Sequence, residues 1–371
     1  MHVAINALAI TNRSGTGRYT WGLIHGLLNP RRVDMRFSVF IPADFDIPDA
    51  WAHEDNLRFY TVPIRSTLGR VAWEQFCLPS LLNKLHVSLL HSTAFVAPVC
   101  RETRCKHFIT IHDLAYRRYP QTIPWLRRWY YRWAIPRSLR LAHTVITDSY
   151  TVGHELLRLP HPPPRILPLH LAVCHLTYHP VHEKMDSFVL QQYKITKPFF
   201  LFVGTLEPRK NLETLVQAYS LARQRGLCKP LVIAGRLGWM QNPALFQKEG
   251  IQCLGFVPEA HLPALYRQAR VLLAPSLYEG FDLPVLEASA CGTPVVASDI
   301  PIHREILEQY ALYVSPTELA AWADALLQAE QTLPPRNTTH LRTWSDVGDE
   351  VHMHYQALGS EYEEERDGET K

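Results

Sequence analysis

No apolar run in the 371 residues approaches the roughly 20 residues that a membrane-spanning helix needs. The chain opens with Met1-His2-Val3-Ala4-Ile5-Asn6, which runs straight into a strand-like pattern without the basic, apolar and small-residue succession of a secretory leader. Cysteine is sparse and scattered: there are seven, the closest pair being Cys100 and Cys105, with no Cys-x-x-Cys. That usage excludes a disulfide framework, argues against a zinc site, and predicts reduced, mostly buried thiols in a cytoplasm. No helix-turn-helix or single-strand-binding signature is present, so a nucleic-acid partner is not expected. With 47% hydrophobic and 20% charged residues, the chain has enough apolar material for a core, and disorder is expected only at its ends.

The length exceeds what one ordinary core organises and predicts two domains. Charge divides with it. Residues 1–180 hold 21 Lys and Arg against 11 Asp and Glu, a balance of +10, and the remainder hold 17 against 24, a balance of −7. A basic first half suits an anionic partner there, or it is simply a charge-biased solvated surface.

Strand-like runs recur along the first half: 3–7, 37–41, 57–60, 87–91, 108–111 and 144–147, with amphipathic helical segments between several of them. Strand and helix in alternation predict a parallel sheet covered on both faces, with ligands beyond the carboxyl ends of its strands. After the first strand comes Ser14-Gly15-Thr16-Gly17-Arg18-Tyr19 and a helix with Trp21, Ile24, Leu27 and Leu28 on one face. Glycines there let backbone amides approach an anion, although an ordinary turn reads the same way. Thr110-Ile111-His112-Asp113 ends another strand and places His112 and Asp113 at the ligand-facing edge.

Residues 117–140 interleave Arg127, Arg128, Arg132, Arg137 and Arg140 with Trp125, Trp129, Tyr130, Tyr131 and Trp133. Two readings stand: a face for anionic lipid or an anionic acceptor, or a helix whose aromatics pack inward under solvated arginines. The prolines from Leu159 to Pro164 break the chain, Arg165-Ile166-Leu167-Pro168-Leu169 resumes as a strand, and a polar stretch over 175–196 marks the expected boundary between domains.

The second half repeats the rhythm with strands at 199–203, 231–234, 252–257, 271–274 and 294–297. After the first of these stands Gly204-Thr205-Leu206-Glu207-Pro208-Arg209-Lys210-Asn211, with Asn211 placed to cap the next helix. Arg209 and Lys210 lie just before a helix amino end, where positive charge is unfavourable unless an anion neutralises it, so a phosphate site is expected. Pro275-Ser276-Leu277-Tyr278-Glu279-Gly280-Phe281-Asp282-Leu283-Pro284-Val285-Leu286-Glu287-Ala288 crosses from a buried strand to a helix that Pro284 can begin. It puts Glu279 in the loop and Glu287 in the helix, with free amides between them. Phosphate-type sites at the mouths of both sheets imply one ligand in a cleft between the domains.

With these motifs in place the sequence resembles the family-4 retaining glycosyltransferases. The likeness spans nearly the whole chain, through residues 279–288 with their continuation Cys291-Gly292-Thr293-Pro294-Val295-Val296-Ala297-Ser298, residues 203–211, and Gly15-Thr16-Gly17-Arg18-Tyr19. It implies an α/β architecture of two doubly wound Rossmann-like domains, the GT-B fold, facing across a deep cleft. The expected division is an acceptor-side domain over 1–175, a donor-binding domain over 190–340, and a closing segment over 341–371. In that segment a helix from Trp344 crosses back to the first domain and an acidic tail frays from Glu361.

The resemblance further implies a hexose moved from a nucleoside-diphosphate sugar to an acceptor hydroxyl, with retained anomeric configuration and no metal or other cofactor. The partners would be a nucleotide-sugar donor and a glycan or lipid-linked acceptor. Arg209 and Lys210 would bind the diphosphate with amides near Gly15, Thr16 and Gly17 and from Phe281 to Leu283. Glu287 would meet the ribose, Glu279 the transferred sugar, and Arg236 with the turn at Val257 the base. His112, beside Asp113, falls where the family places a catalytic, sugar-contacting histidine. Asp282 departs from the motif, which usually has glycine, and 167–173 lacks the usual Asn-Gly.

The Arg18-Tyr19-Thr20 entry and the Glu-Pro-Arg-Lys-Asn run resemble the mannosyltransferase-like branch and favour GDP-mannose. Expected, then, is a cytoplasmic enzyme of surface-polysaccharide or lipid-linked glycan synthesis, peripheral at the inner face of the plasma membrane. A UDP-sugar donor and a non-catalytic binding subunit are the alternatives.

Overall fold

The structure, a computed structural model, describes all residues except 13–14, 29–33, 53, 65, 239–245, 335–340 and 370–371, and over 360–369 the backbone alone. It divides into two units, Met1–Ala172 with Arg342–Lys371, and Val173–Leu341.

In the first unit the described strands are β1 (His2–Asn6), β2 (Arg36–Pro42), β3 (Leu57–Val62), β4 (Leu89–Ser92), β5 (Lys106–Ile111), β6 (Thr144–Thr147) and β7 (Ile166–Pro168). They form one parallel sheet in the order β3-β2-β1-β4-β5-β6-β7. The second unit holds β8 (Phe200–Val203), β9 (Leu231–Ala234), β10 (Ile251–Gly255), β11 (Val271–Ala274), β12 (Val295–Ser298) and β13 (Leu312–Val314). These are parallel too, in the order β10-β9-β8-β11-β12-β13. Strands covered by helices on both faces carry near-continuous apolar runs, and Phe200-Leu201-Phe202 and Val271-Leu272-Leu273 are of that kind, all buried. Phe200, Phe202, Leu215, Tyr219 and Trp322 belong to one core cluster of the second unit.

Each sheet reverses its direction of growth once, between β1 and β4 and between β8 and β11. A crevice opens at such a point because the connections leave to opposite faces, and ligands bind there. The loops after β8 and β11 carry Arg209, Lys210, Glu279 and Asp282, the motifs singled out from the sequence.

Several local expectations change. The segment 176–189 folds with the second unit, because Asp186 on the Lys184–Gln192 helix takes the guanidinium of Arg267 at 2.6 Å with both side chains buried. Asn211 sits at the helix N-cap position but in the left-handed region (φ 56°), and its side chain does not cap the helix. Its amide donates instead to the carbonyls of Pro275 and Pro316. Trp21 is 36% exposed and stacks on His25 while Leu23, Ile24 and Leu27 are buried. All seven cysteines are free, but Cys77, Cys100, Cys228 and Cys253 are exposed and only Cys105 and Cys291 are buried. The last helix, Trp344–Glu369, keeps a helical backbone past Glu361, where fraying was expected.

That helix packs on the Gly15–Leu27 helix, and two glycines permit the approach. A Cβ on Gly22 would lie 2.2 Å from the Trp344 ring, and one on Gly26 would lie 2.0 Å from the Trp344 carbonyl oxygen. Alanine favours a helix interior over glycine by nearly 1 kcal/mol, yet here backbone must shift to admit it, at about 1–3 kcal/mol. Gly26→Ala is therefore expected to lower the melting temperature by several degrees, as calorimetry can check. An unchanged or raised value would mean that the two helices do not approach so closely.

Candidate active site

The Pro208–Lys210 turn after β8 and the loop after β11 bring five ionisable side chains into one buried cluster. Arg209 Nη1 donates to the Tyr278 carbonyl at 2.7 Å and to Glu279 Oε2 at 2.6 Å, while Nη2 reaches Glu207 Oε1 at 2.7 Å. Lys210 Nζ lies 2.8 Å from Glu279 Oε1 and 3.3 Å from Asp282 Oδ1. Ser276 Oγ donates to the same Glu279 oxygen at 2.7 Å. The amide of Leu277 donates to the Arg209 carbonyl at 2.9 Å, so the two loops are also joined through backbone. Glu279 thus clamps both cations here rather than standing alone in the loop.

Burial raises the pKa of the Glu279 carboxyl, but Arg209 and then Lys210 outweigh it and hold the group below its ordinary value. Burial lowers that of Lys210, and Asp282 and Glu279 reverse the sign and hold the ammonium charged. Two fixed cations at a switch-point mouth are what an anion requires, and their charge is balanced internally until one arrives.

Asp282, where the resemblance expects glycine, is the N-cap residue of the Leu283–Ala290 helix and lies in the left-handed region (φ 80°, ψ 68°). Aspartate visits that region at a cost that glycine does not pay. Its carboxylate is almost wholly buried, at 8% exposure. Oδ1 faces Lys210, and Oδ2 lies 3.1 Å from Nε2 of His303, on the Pro301–Leu307 helix. Burial would raise this carboxyl, yet Lys210 and His303 draw its pKa down to about 2.

Around this centre, Phe281 and Leu283 are buried beside Asp282. Glu287 has no exposed surface, and its Oε2 accepts the Tyr266 hydroxyl at 2.8 Å. Arg236 lies beyond β9, its guanidinium 4.8 Å from the centre of the Phe256 ring, with Val257 buried next to that ring. Exposed cation and half-exposed ring make a flat platform of the kind on which a base stacks.

In the first unit Gly15, Thr16 and Gly17 form the first turn of the Gly15–Leu27 helix rather than a loop before it. Gly17 must be glycine: a Cβ there would fall 1.7 Å from the Asn12 carbonyl oxygen. His112 follows β5 and is buried. Its Nδ1 lies 2.7 Å from Asp148 Oδ2, and its Nε2 lies 2.9 Å from the Thr93 carbonyl. Burial lowers its pKa, but Asp148 prevails and the net shift is upward. Asp113, expected with His112 at the ligand-facing strand end, accepts the Ala115 amide at 2.9 Å and caps a short turn. The partner that the sequence did not single out, Asp148, stands one position beyond Thr147, the last residue of β6.

Nearby, a small concavity is lined among others by Asn12, Thr16, Glu74, Phe95, Tyr130 and Tyr131. Burial raises the Glu74 carboxyl despite Arg70 at 3.8 Å and an Asn6 amide donor at 3.2 Å. The Trp125–Leu141 helix resolves its two readings by residue. Tyr130 and Tyr131 pack on the core, whereas Trp125, Leu126 and Trp129 are 69%, 64% and 72% exposed beside exposed Arg127 and Arg132. An Asp-x-Asp spacing stands at Asp44-Phe45-Asp46 beyond β2, with both residues exposed. Among the described residues no group of three or more His, Cys, Asp or Glu is placed to hold a metal, and no helix is long and apolar enough to cross a membrane.

Two parallel doubly wound units, with paired cations and carboxylates at the switch point of the second, define a GT-B fold. Structural comparison agrees across the chain. A sucrose-phosphate synthase from Thermosynechococcus elongatus superposes with TM-score 0.68 over 99% of this chain and 98% of its own, at 20% identity. WaaG, a glycosyltransferase involved in lipopolysaccharide biosynthesis, gives 0.66 over 98% of each chain at 16% identity. Residues 13–173 match the family model described as Glycosyltransferase Family 4 and residues 197–331 that described as Glycosyl transferases group 1, so the chain belongs to these glycosyltransferases. Among curated relatives, O-antigen chain mannosyltransferase B of Escherichia coli is 36% identical over 232 residues, and O-antigen chain mannosyltransferase RfbU of Salmonella typhimurium 28% over 244. Each match spans 60% of this chain and 60% of the relative.

Proposed function

We propose that the protein transfers mannose from GDP-mannose to an acceptor hydroxyl in the assembly of a surface polysaccharide, with retained configuration and without a metal. The carrying observation is the Arg209–Lys210 pair, anchored by Glu279 at the β8/β11 switch point. A departing nucleoside diphosphate gains negative charge as the glycosidic bond breaks. Cations already in place stabilise that charge without reorganisation, the electrostatic contribution that is commonly the largest in catalysis. No covalent glycosyl intermediate is invoked: Glu279 is committed to two cations, so attack from the donor's own face, with the departing phosphate oxygen taking the acceptor proton, fits these residues better.

Around the diphosphate, Arg236 on Phe256 supports the base, and Glu287, oriented by Tyr266, takes the ribose. His112 with its counter-ion Asp148 serves the sugar, and the concavity beside Glu74, Tyr130 and Tyr131 receives a glycan or lipid-linked acceptor. Mannose and the O-antigen setting rest on the names of the two relatives. A thermal-shift panel tests the donor: GDP and GDP-mannose should raise the melting temperature more than UDP and UDP-glucose. A larger rise with the uridine compounds would transfer the proposal to a UDP-sugar, and no rise with any nucleotide would end it.

The exposed Trp125, Leu126 and Trp129 beside arginines further suggest peripheral attachment to the cytoplasmic face of an anionic membrane. Vesicles containing anionic lipid should co-sediment the protein in a salt-sensitive way, and Trp125→Ser with Trp129→Ser should abolish it. Equal sedimentation of the double variant would remove this attachment face.

A further inference from the structure

His303 is wholly buried on the Pro301–Leu307 helix and holds a residue that faces one of the two cations. Its Nδ1 lies 2.9 Å from the Ser298 carbonyl oxygen. That oxygen only accepts, so Nδ1 carries a hydrogen. Its Nε2 lies 3.1 Å from Oδ2 of Asp282, a carboxylate that Lys210 and His303 keep ionised. That contact is also attractive only if Nε2 carries a hydrogen. Both contacts are satisfied together by the imidazolium.

With the ring charged, Arg209, Lys210 and His303 balance Glu207, Glu279 and Asp282. Of the two carboxylate contacts of Lys210, that with Asp282 is the longer, 3.3 Å against 2.8 Å to Glu279. The other groups facing the ring's surroundings are accounted for. Tyr313 of β13 donates its hydroxyl to the His303 carbonyl at 3.3 Å, and Arg304 on the same helix is engaged by Asp299 at 2.7 Å.

We propose that His303 is a positioning residue of the diphosphate subsite: as an imidazolium it holds the Asp282 carboxylate, and so leaves Lys210 available to an incoming nucleoside diphosphate. Without the charged ring Asp282 turns its full charge on Lys210, and the subsite gains one negative charge just where a phosphate must enter. Asp282 in place of glycine makes that role possible, because a glycine would leave His303 nothing to hold. The inference rests on the glycosyl-transfer reading above.

Titration calorimetry of the full chain with GDP tests it. His303→Gln, which still offers a donor but no charge, should bind about tenfold more weakly than wild type, and the loss should appear in the donor KM more than in kcat. Asp282→Gly should bind tightly, and the double variant His303→Gln/Asp282→Gly should recover that tight binding. A purely structural His303 would leave the double variant as weak as the single one. Unaltered GDP affinity in His303→Gln, or no recovery in a double variant that melts like wild type, overturns the proposal. No GDP binding by wild type at any pH overturns the glycosyl-transfer reading and this inference with it. In that case imidazole nitrogen NMR still reads whether His303 carries both protons.

Discussion

Lys210→Ala is expected to lower kcat/KM for the nucleotide-sugar donor by about a hundred- to a thousandfold, the range seen when one preorganised electrostatic donor is removed from a site of developing charge. The variant will also be less stable. Lys210 is buried between Glu279 and Asp282, and breaking such an arrangement from one side typically costs about 3–5 kcal/mol because charge is left uncompensated. Arg209 and His303 remain beside the two carboxylates, which places the cost at the lower end. Activity and stability separate in the double variant Lys210→Ala/Asp282→Gly, which should regain most of the melting temperature and none of the turnover.

The pH dependence of this stability has a definite sign. The Asp282 carboxyl is drawn from 3.8 in the reference state to about 2 in the folded protein. Its contribution is therefore complete above about 3.8 and is lost as pH falls towards 2. The gap in stability between wild type and Lys210→Ala should accordingly narrow through that acid window. An unchanged kcat/KM in the single variant would remove the diphosphate role from Lys210.

Asp148→Asn carries the second large effect. His112 presents both ring nitrogens to accepting oxygens, the carboxylate at 2.7 Å and the Thr93 carbonyl at 2.9 Å, and Asp148 is what raises its pKa in spite of burial. An asparagine keeps the shape and removes the counter-ion. If His112 contacts the transferred sugar, kcat should fall on the order of a hundredfold, within the range for a proton-holding side chain. Because the folded-state pKa of His112 is raised, its stabilising contribution is fully present below 6.5 and is lost as pH rises through the folded value. Wild type should therefore lose stability relative to Asp148→Asn as pH increases from neutral. Imidazole NMR should show His112 releasing its proton at lower pH in the variant. An unmoved titration would mean that Asp148 is not the group that holds the proton.

These two sites differ in how far the sequence exposes them. The strands were legible because a parallel sheet covered on both faces demands unbroken apolar runs, and Phe200-Leu201-Phe202-Val203 could be little else. Only β13, three residues long, carries too little pattern to be seen. Arg209, Lys210, Glu279 and Asp282 were recognisable as candidates from their places after strands. Their mutual neutralisation was not, since it joins loops some 70 residues apart and depends on where side chains meet. Asp148 was not singled out, because adjacency in sequence is visible and the order of strands in a sheet is not. The order β5-β6, unknown beforehand, puts the end of β6 beside the end of β5. Asn211 shows the same limit at the scale of one residue: its type suits a cap, but its left-handed backbone directs the amide to two carbonyls elsewhere. His303 had no motif of its own. It becomes informative only with the carboxylate that replaces a glycine.

The central claim is that the charge cluster of the second unit holds a nucleotide-sugar diphosphate and discharges the sugar from it. The most direct measurement is release of nucleoside diphosphate from GDP-mannose by the purified chain in the presence of a chelator, without acceptor. The account predicts slow hydrolysis that persists under chelation and disappears in Lys210→Ala/Asp282→Gly, a variant whose melting temperature should stay near that of wild type. Release that requires an added divalent metal, or that survives unchanged in that variant, would contradict it.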